Sequence, residues 1–226
     1  MHISKNSVRQ FSHNRGLRRG IYRLEGETEE PVREIQEAIF MGEGKDKPAG
    51  IEVEENHVYF YCPVMERESL ELVRIIRRLD IEMKYLADRI GLESNPPIHL
   101  HIQSPGGDIF SGLNICDVID SCRTDVYTYV EGSAASASTM ISCSGKKRFI
   151  TRNSFMLVHQ PQIMWAGKHD EFIDEIENQK NIYSAVKKVY LKQTKMKAAQ
   201  LDEMLKHELW LPSDKCLALG LVDEIC

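Results

Sequence analysis

From residue 57 to residue 225 the chain alternates strand-like runs with helical stretches, and that alternation restricts the fold more than any other feature. His57-Val-Tyr-Phe-Tyr-Cys62 has the aromatic and β-branched content of a strand. Leu72, Ile75, Ile76, Leu79, Met83, Leu86 and Ile90 then recur every three or four positions. They mark one face of a long amphipathic helix over 66–90, stopped by Gly91 and Pro96-Pro97. Ile98-His-Leu-His-Ile102 alternates as a strand does, and a helix follows to about Ser121. Strands are expected at 126–130, 147–150, 155–158 and 221–225, with small residues after Gly132 forming a short helix. Residues 168–195 carry Phe172, Ile176, Tyr183, Val186 and Tyr190 on the apolar side of a second long helix. A short helix is expected near 198–206, and another between Ser213 and Gly220. Strands separated by helices need crossover connections, so the pattern predicts an α/β fold with a largely parallel sheet covered by helices.

A chain of 226 residues is long enough to bury one substantial core. Its hydrophobic fraction of 42% and charged fraction of 28% describe a globular protein, not a disordered one. A net charge of -5 argues against nucleic acid as the main partner, because phosphate binding needs a basic surface. No apolar run approaches a membrane span. The six cysteines lack metal-ligand spacing and read as small buried residues of a reducing compartment. His99 and His101 share one strand face, but no third ligand accompanies them, so a structural role is expected and no metal.

Residues 1–56 differ in character. The first 24 carry six Lys or Arg and no acid, whereas 25–56 hold eleven acids. This stretch is expected to be a charged extension, a flexible or partner-bound arm or an organelle-targeting peptide, and not a secretory leader. The compact domain is expected to run from 57 to 226.

Three stretches hold side chains suited to acyl transfer, which needs a nucleophile, a base, a group to orient the base and N–H donors for an oxyanion. Ser136 lies where a strand gives way to a helix, beside free backbone N–H groups. Ser104-Pro-Gly-Gly107 closes a strand with two glycines, which let backbone approach a ligand closely. His159 ends the strand Phe155-Met-Leu-Val158, and strand ends in parallel sheets are where catalytic groups gather. Taken singly, each also fits a plain structural role: close helix packing, a tight turn, a core histidine. Their combination favours chemistry.

Ser-Pro-Gly-Gly, Gly132-Ser-Ala-Ala-Ser136, Met156-Leu-Val-His-Gln-Pro161 and Gly220-Leu-Val-Asp-Glu224 resemble, in order and spacing, the ClpP family of serine peptidases over roughly residues 57–226. The resemblance implies a ClpP/crotonase-like fold of repeated β-β-α units. It implies Ser136 as nucleophile, His159 as base, and the N–H groups of Gly107 and Ala137 as oxyanion hole. Glu208 stands where the family has an aspartate as third triad member. Gln162, Ile163 and Met164 occupy the substrate-binding strand, in place of a glycine-rich sequence. Ala137-Ser138 replaces the usual Met-Gly, and His207 an arginine.

The resemblance further implies a cytoplasmic endopeptidase subunit in a homo-oligomeric ring, two stacked heptamers, fed with unfolded proteins or peptides by an AAA+ unfoldase. It asks for no cofactor, no nucleic acid and no membrane. The competing readings are a catalytically silent ring scaffold and a crotonase-type acyl-CoA enzyme.

Overall fold

The computed structural model describes residues 50–162 and 166–226. The chain runs β1 (Ile51–Glu54), β2 (His57–Phe60), α1 (Glu66–Ile90), β3 (Ile98–Ser104) and α2 (Ile109–Ser121). It continues as β4 (Val126–Ala135), α3 (Ala137–Cys143), β5 (Lys147–Ile150), β6 (Phe155–Leu157) and α4 (His169–Gln193). It ends as α5 (Ala198–Leu205), β7 (Trp210–Pro212), α6 (Ser213–Leu219) and β8 (Glu224–Ile225). The extension expected at 1–56 lies outside the described residues up to 49.

The strands form one sheet in the order β1-β2-β3-β4-β5-β8, with β6 on β4 and β7 on β6. Every pairing is parallel except β1 with β2 and β6 with β7. The sheet starts at Ile51, ahead of His57 where the pattern opens the core. Glu52 and Glu54 point outward on an exposed edge strand, so the segment looks like part of a charged extension.

One sheet face carries Val58, Phe60, Leu100, Ile102 and Val130, all at 0% exposure. Leu72, Ile76 and Leu79 of α1 are equally buried, in line with the three-and-four spacing. Burial of such side chains contributes about 1.5–3 kcal/mol each. Gly91 ends α1 in the left-handed conformation, and its N–H donates to the Ala87 carbonyl. Among the described residues no helix is long and apolar enough to cross a membrane.

On the opposite face, His99 and His101 join other polar aromatic groups. His57 Nδ1 lies 3.0 Å from His101 Nε2, and His101 Nδ1 lies 2.8 Å from Glu131 Oε1. His99 stacks on His57 with ring centroids 4.4 Å apart and bonds the Tyr129 hydroxyl at 2.8 Å. Burial, then the His57 and His101 neighbours, hold the His99 pKa below its ordinary value.

Candidate active site

The long strand β4 organises the site. Its first half pairs with β5, and its second half, Ser133–Ala135, pairs with β6. The residue pattern predicts a helix soon after Gly132, but the chain stays extended to Ala135, because Ser133, Ala134 and Ala135 are small enough to run between β3 and β6. The Ser136 N–H extends the ladder by one bond, donating to the Leu157 carbonyl at 2.9 Å. The chain then reverses at once into α3. The reversal puts Ser136 at φ 55, ψ -126, one of two non-glycine residues with positive φ among those described. Such strain persists only where the surroundings over-determine it, and it clusters at functional sites.

The Ser-Pro-Gly-Gly segment wraps against this turn. The Val64 N–H donates to the Gly106 carbonyl at 2.9 Å, and the Asp108 N–H to the Val64 carbonyl at 2.7 Å. This bridge skips Gly107, whose N–H has no backbone partner among the described residues. The Ala137 N–H opens α3 and has no partner within the helix. Gly106 is what lets the two segments meet: a Cβ there would lie 2.7 Å from Ser136 Cβ and 3.0 Å from Ala137 N. The sequence motif draws attention to Gly107 and its N–H, whereas the crowding that needs glycine at 106 shows only in three dimensions. Ser138, at a position where the family usually has glycine, is fully buried. Its hydroxyl accepts from Ala135 N–H at 2.9 Å and lies 3.0 Å from the Ser104 carbonyl, tying β3 to the turn.

The same strand pairing delivers His159. Ala135 of β4 pairs with Leu157 of β6, so both strands leave the sheet at one edge, each just short of its candidate residue. Across β6, Leu157 pairs with Trp210 in antiparallel register. Carried two residues further, that register sets His159 opposite Glu208. His159 Nδ1 lies 3.4 Å from Glu208 Oε1. The imidazole is 15% exposed and the carboxylate 66%, and Gln162 Nε2 reaches the same oxygen at 3.5 Å.

Ser136, Ala137, Gly107, His159 and Gln162 line one cavity of about 470 Å³, within the range of ligand clefts. Ile182 and Val186 of α4 give it an apolar wall, and Phe110, 63% exposed, stands at its rim. Glu208 lines a neighbouring cavity, and His159 borders both. The imidazole therefore stands between serine and carboxylate. Ile163 and Met164 lie outside the described residues.

The remaining candidates fall elsewhere. Burial pushes the thiols of Cys62, Cys116, Cys143 and Cys216 up to about 12, so they stay protonated and un-nucleophilic at neutral pH. Asp223 of the last motif grips Arg148 at 2.6 Å, and that bond holds its carboxyl below the usual carboxylate range. Arg148 also donates to the Gly220 carbonyl at 2.9 Å, so this motif fastens the C-terminal strand to β5.

Residues 82–226 match the family model described as Clp protease, and all four motifs lie within that span. The structure is an α/β fold with a mostly parallel sheet, consistent with that family. The chain belongs to the Clp protease family of serine peptidases.

Proposed function

We propose that this chain is the proteolytic subunit of an ATP-dependent-type peptidase and hydrolyses peptide bonds of unfolded proteins. Ser136 Oγ attacks the scissile carbonyl carbon while His159 Nε2 takes its proton. Glu208 accepts a hydrogen bond from His159 Nδ1–H, which leaves Nε2 free as the basic nitrogen and stabilises the imidazolium that forms. The N–H groups of Gly107 and Ala137 stabilise the oxyanion of the tetrahedral intermediate. His159 then returns the proton to the leaving amine, and water repeats the sequence on the acyl-enzyme. Gln162 and the two residues after it bind substrate backbone.

The observation that carries this reading is the strained Ser136 turn, which faces the same cavity as His159 and two N–H groups without backbone partners among the described residues. We further propose a closed ring in the cytoplasm, fed by a separate AAA+ unfoldase, with residues 1–49 as an extension outside the catalytic unit. A fluorophosphonate probe tests the chemistry. Wild-type protein is expected to be labelled at Ser136 and to cleave a fluorogenic peptide, and Ser136→Ala is expected to do neither. A folded, assembled wild type that resists the probe and leaves peptide uncut would overturn the proposal in favour of a silent ring subunit.

A further inference from the structure

Behind Ser136 lies a buried hydrogen-bonded pair that the proposed reaction does not use. Thr139 Oγ1 donates to the Ser136 carbonyl at 2.6 Å, alongside the Thr139 backbone N–H at 3.0 Å. The Tyr190 hydroxyl of α4 lies 2.5 Å from Thr139 Oγ1. Thr139 is 0% exposed and Tyr190 2%. The donor order follows from the acceptor. A carbonyl only accepts, so Thr139 gives its single hydroxyl proton to Ser136, and Tyr190 donates to Thr139. Burial raises the Tyr190 pKa, so the phenol keeps its proton for this bond.

The Ser136 carbonyl belongs to the peptide unit whose other end is the Ala137 N–H. That unit is planar and trans, so its C=O and N–H point in opposite directions. Two donors on the carbonyl therefore fix where the Ala137 N–H points. A chain of hydrogen bonds ending on that carbonyl also polarises the peptide and strengthens its N–H as a donor. The same two bonds help to hold a serine at φ 55, a conformation that needs support from outside itself.

We infer that Thr139 and Tyr190 are positioning residues, a relay from α4 that aims and polarises the Ala137 N–H toward the substrate oxyanion. The inference rests on the roles proposed above for Ser136 and Ala137. It has a specific alternative: a buried tyrosine hydroxyl needs some partner, and the pair then serves packing alone. Packing moves stability. Aiming a donor used mainly in the transition state moves kcat and leaves KM nearly unchanged.

The test uses the full chain, with kcat, KM and melting temperature measured for Thr139→Val, Thr139→Ser and Tyr190→Phe. Loss of a whole oxyanion donor lowers kcat about 10²–10³-fold, so loss of its alignment in Thr139→Val is expected to lower kcat about tenfold, with KM within about twofold. Tyr190→Phe, which keeps the threonine bond and loses only its polarisation, is expected to lose less, in the same parameter. Thr139→Ser, which keeps the hydroxyl, is expected to recover most of what Thr139→Val loses. Should Thr139→Val fail to fold, the kcat of Tyr190→Phe decides. Folded variants with wild-type kcat, or a loss that serine does not recover, overturn the relay while leaving an active, probe-labelled wild type as a peptidase. A wild type that is neither active nor labelled instead sinks the peptidase assignment, and the relay with it.

Discussion

Gly106 is the residue whose replacement most directly tests how the turn is built. It has φ +84, a conformation that costs an L-residue about 1–2 kcal/mol. An alanine Cβ would also press on the Ala135 carbonyl oxygen and lie 2.7 Å from Ser136 Cβ. Neither neighbour is the free end of a flexible side chain, so the overlap is relieved only by moving backbone. Overpacking of that kind costs a further ~1–3 kcal/mol. The sum, about 2–5 kcal/mol, corresponds in a domain of this size to a melting point lower by about 10 °C. Gly91→Ala is the matched control, because Gly91 has φ +70 with nothing within 4 Å of a new Cβ. It carries the backbone cost alone. The difference between the two variants isolates the crowding at Ser136. A nucleophile displaced by up to ~1 Å loses on the order of 10²-fold in rate, so probe labelling and peptide cleavage are expected to drop in Gly106→Ala and to persist in Gly91→Ala. If Gly106→Ala melts with Gly91→Ala and is labelled at the wild-type rate, the close approach of the two segments is not what shapes the site.

Two further perturbations have signs that can be worked out in advance. Glu208→Gln is expected to keep the fold and lose about 10²-fold in peptide cleavage, short of the ~10⁴ for a buried triad acid, because this carboxylate is two-thirds exposed at 3.4 Å. Activity within about threefold of wild type would remove Glu208 from the triad. His99→Phe is expected to flatten the dependence of stability on pH, measured by denaturant unfolding at pH 7.5 and 5.5. The unfolded imidazole takes its proton near ~6.5 while the folded one resists it, so the unfolded chain binds more protons as pH falls and the wild type loses stability across that window. An equal slope in wild type and variant would count against burial of His99 as the cause.

Much of the fold is legible in the sequence because its elements carry strong periodicity. The alternation in β3 survives as buried residues at the expected spacing, and so does the apolar stripe of α1 from Leu72 to Leu79, whereas Leu86 and Ile90 at the end of that stripe are exposed. The misses have physical reasons. β1 hides behind outward-facing glutamates. β7 is three residues long, too short for a period to show, and it forms only because β6 offers it an antiparallel partner. The continuation of β4 to Ala135 escapes propensity because glycine, serine and alanine favour no strand. Tertiary pairing with β6 decides it.

The candidate site divides along the same line. His159 can be picked from sequence because it sits at the end of a strand that the pattern predicts, and Ser136 because small residues after a predicted strand give way to a helix there, although the stretch of β4 that leads to it escapes the pattern. Glu208 cannot be placed that way, since the strand that aligns it, β7, is itself invisible in the pattern. Motif order alone puts it third, and only the β6–β7 register sets it opposite His159. That same register explains why its grip is loose. The continued pairing leaves Glu208 beyond the last ladder residue of a three-residue strand, where 66% of its side chain meets solvent and Gln162 competes for the same oxygen. A longer β7 would carry the pairing up to Glu208. In this chain Ser136 and the proposed oxyanion donors are therefore set by buried, cross-strand contacts, whereas the orientation of the proposed base, His159, depends on an exposed residue. Perturbations at the strand end near Trp210 should reach the His159 orientation before they reach Ser136.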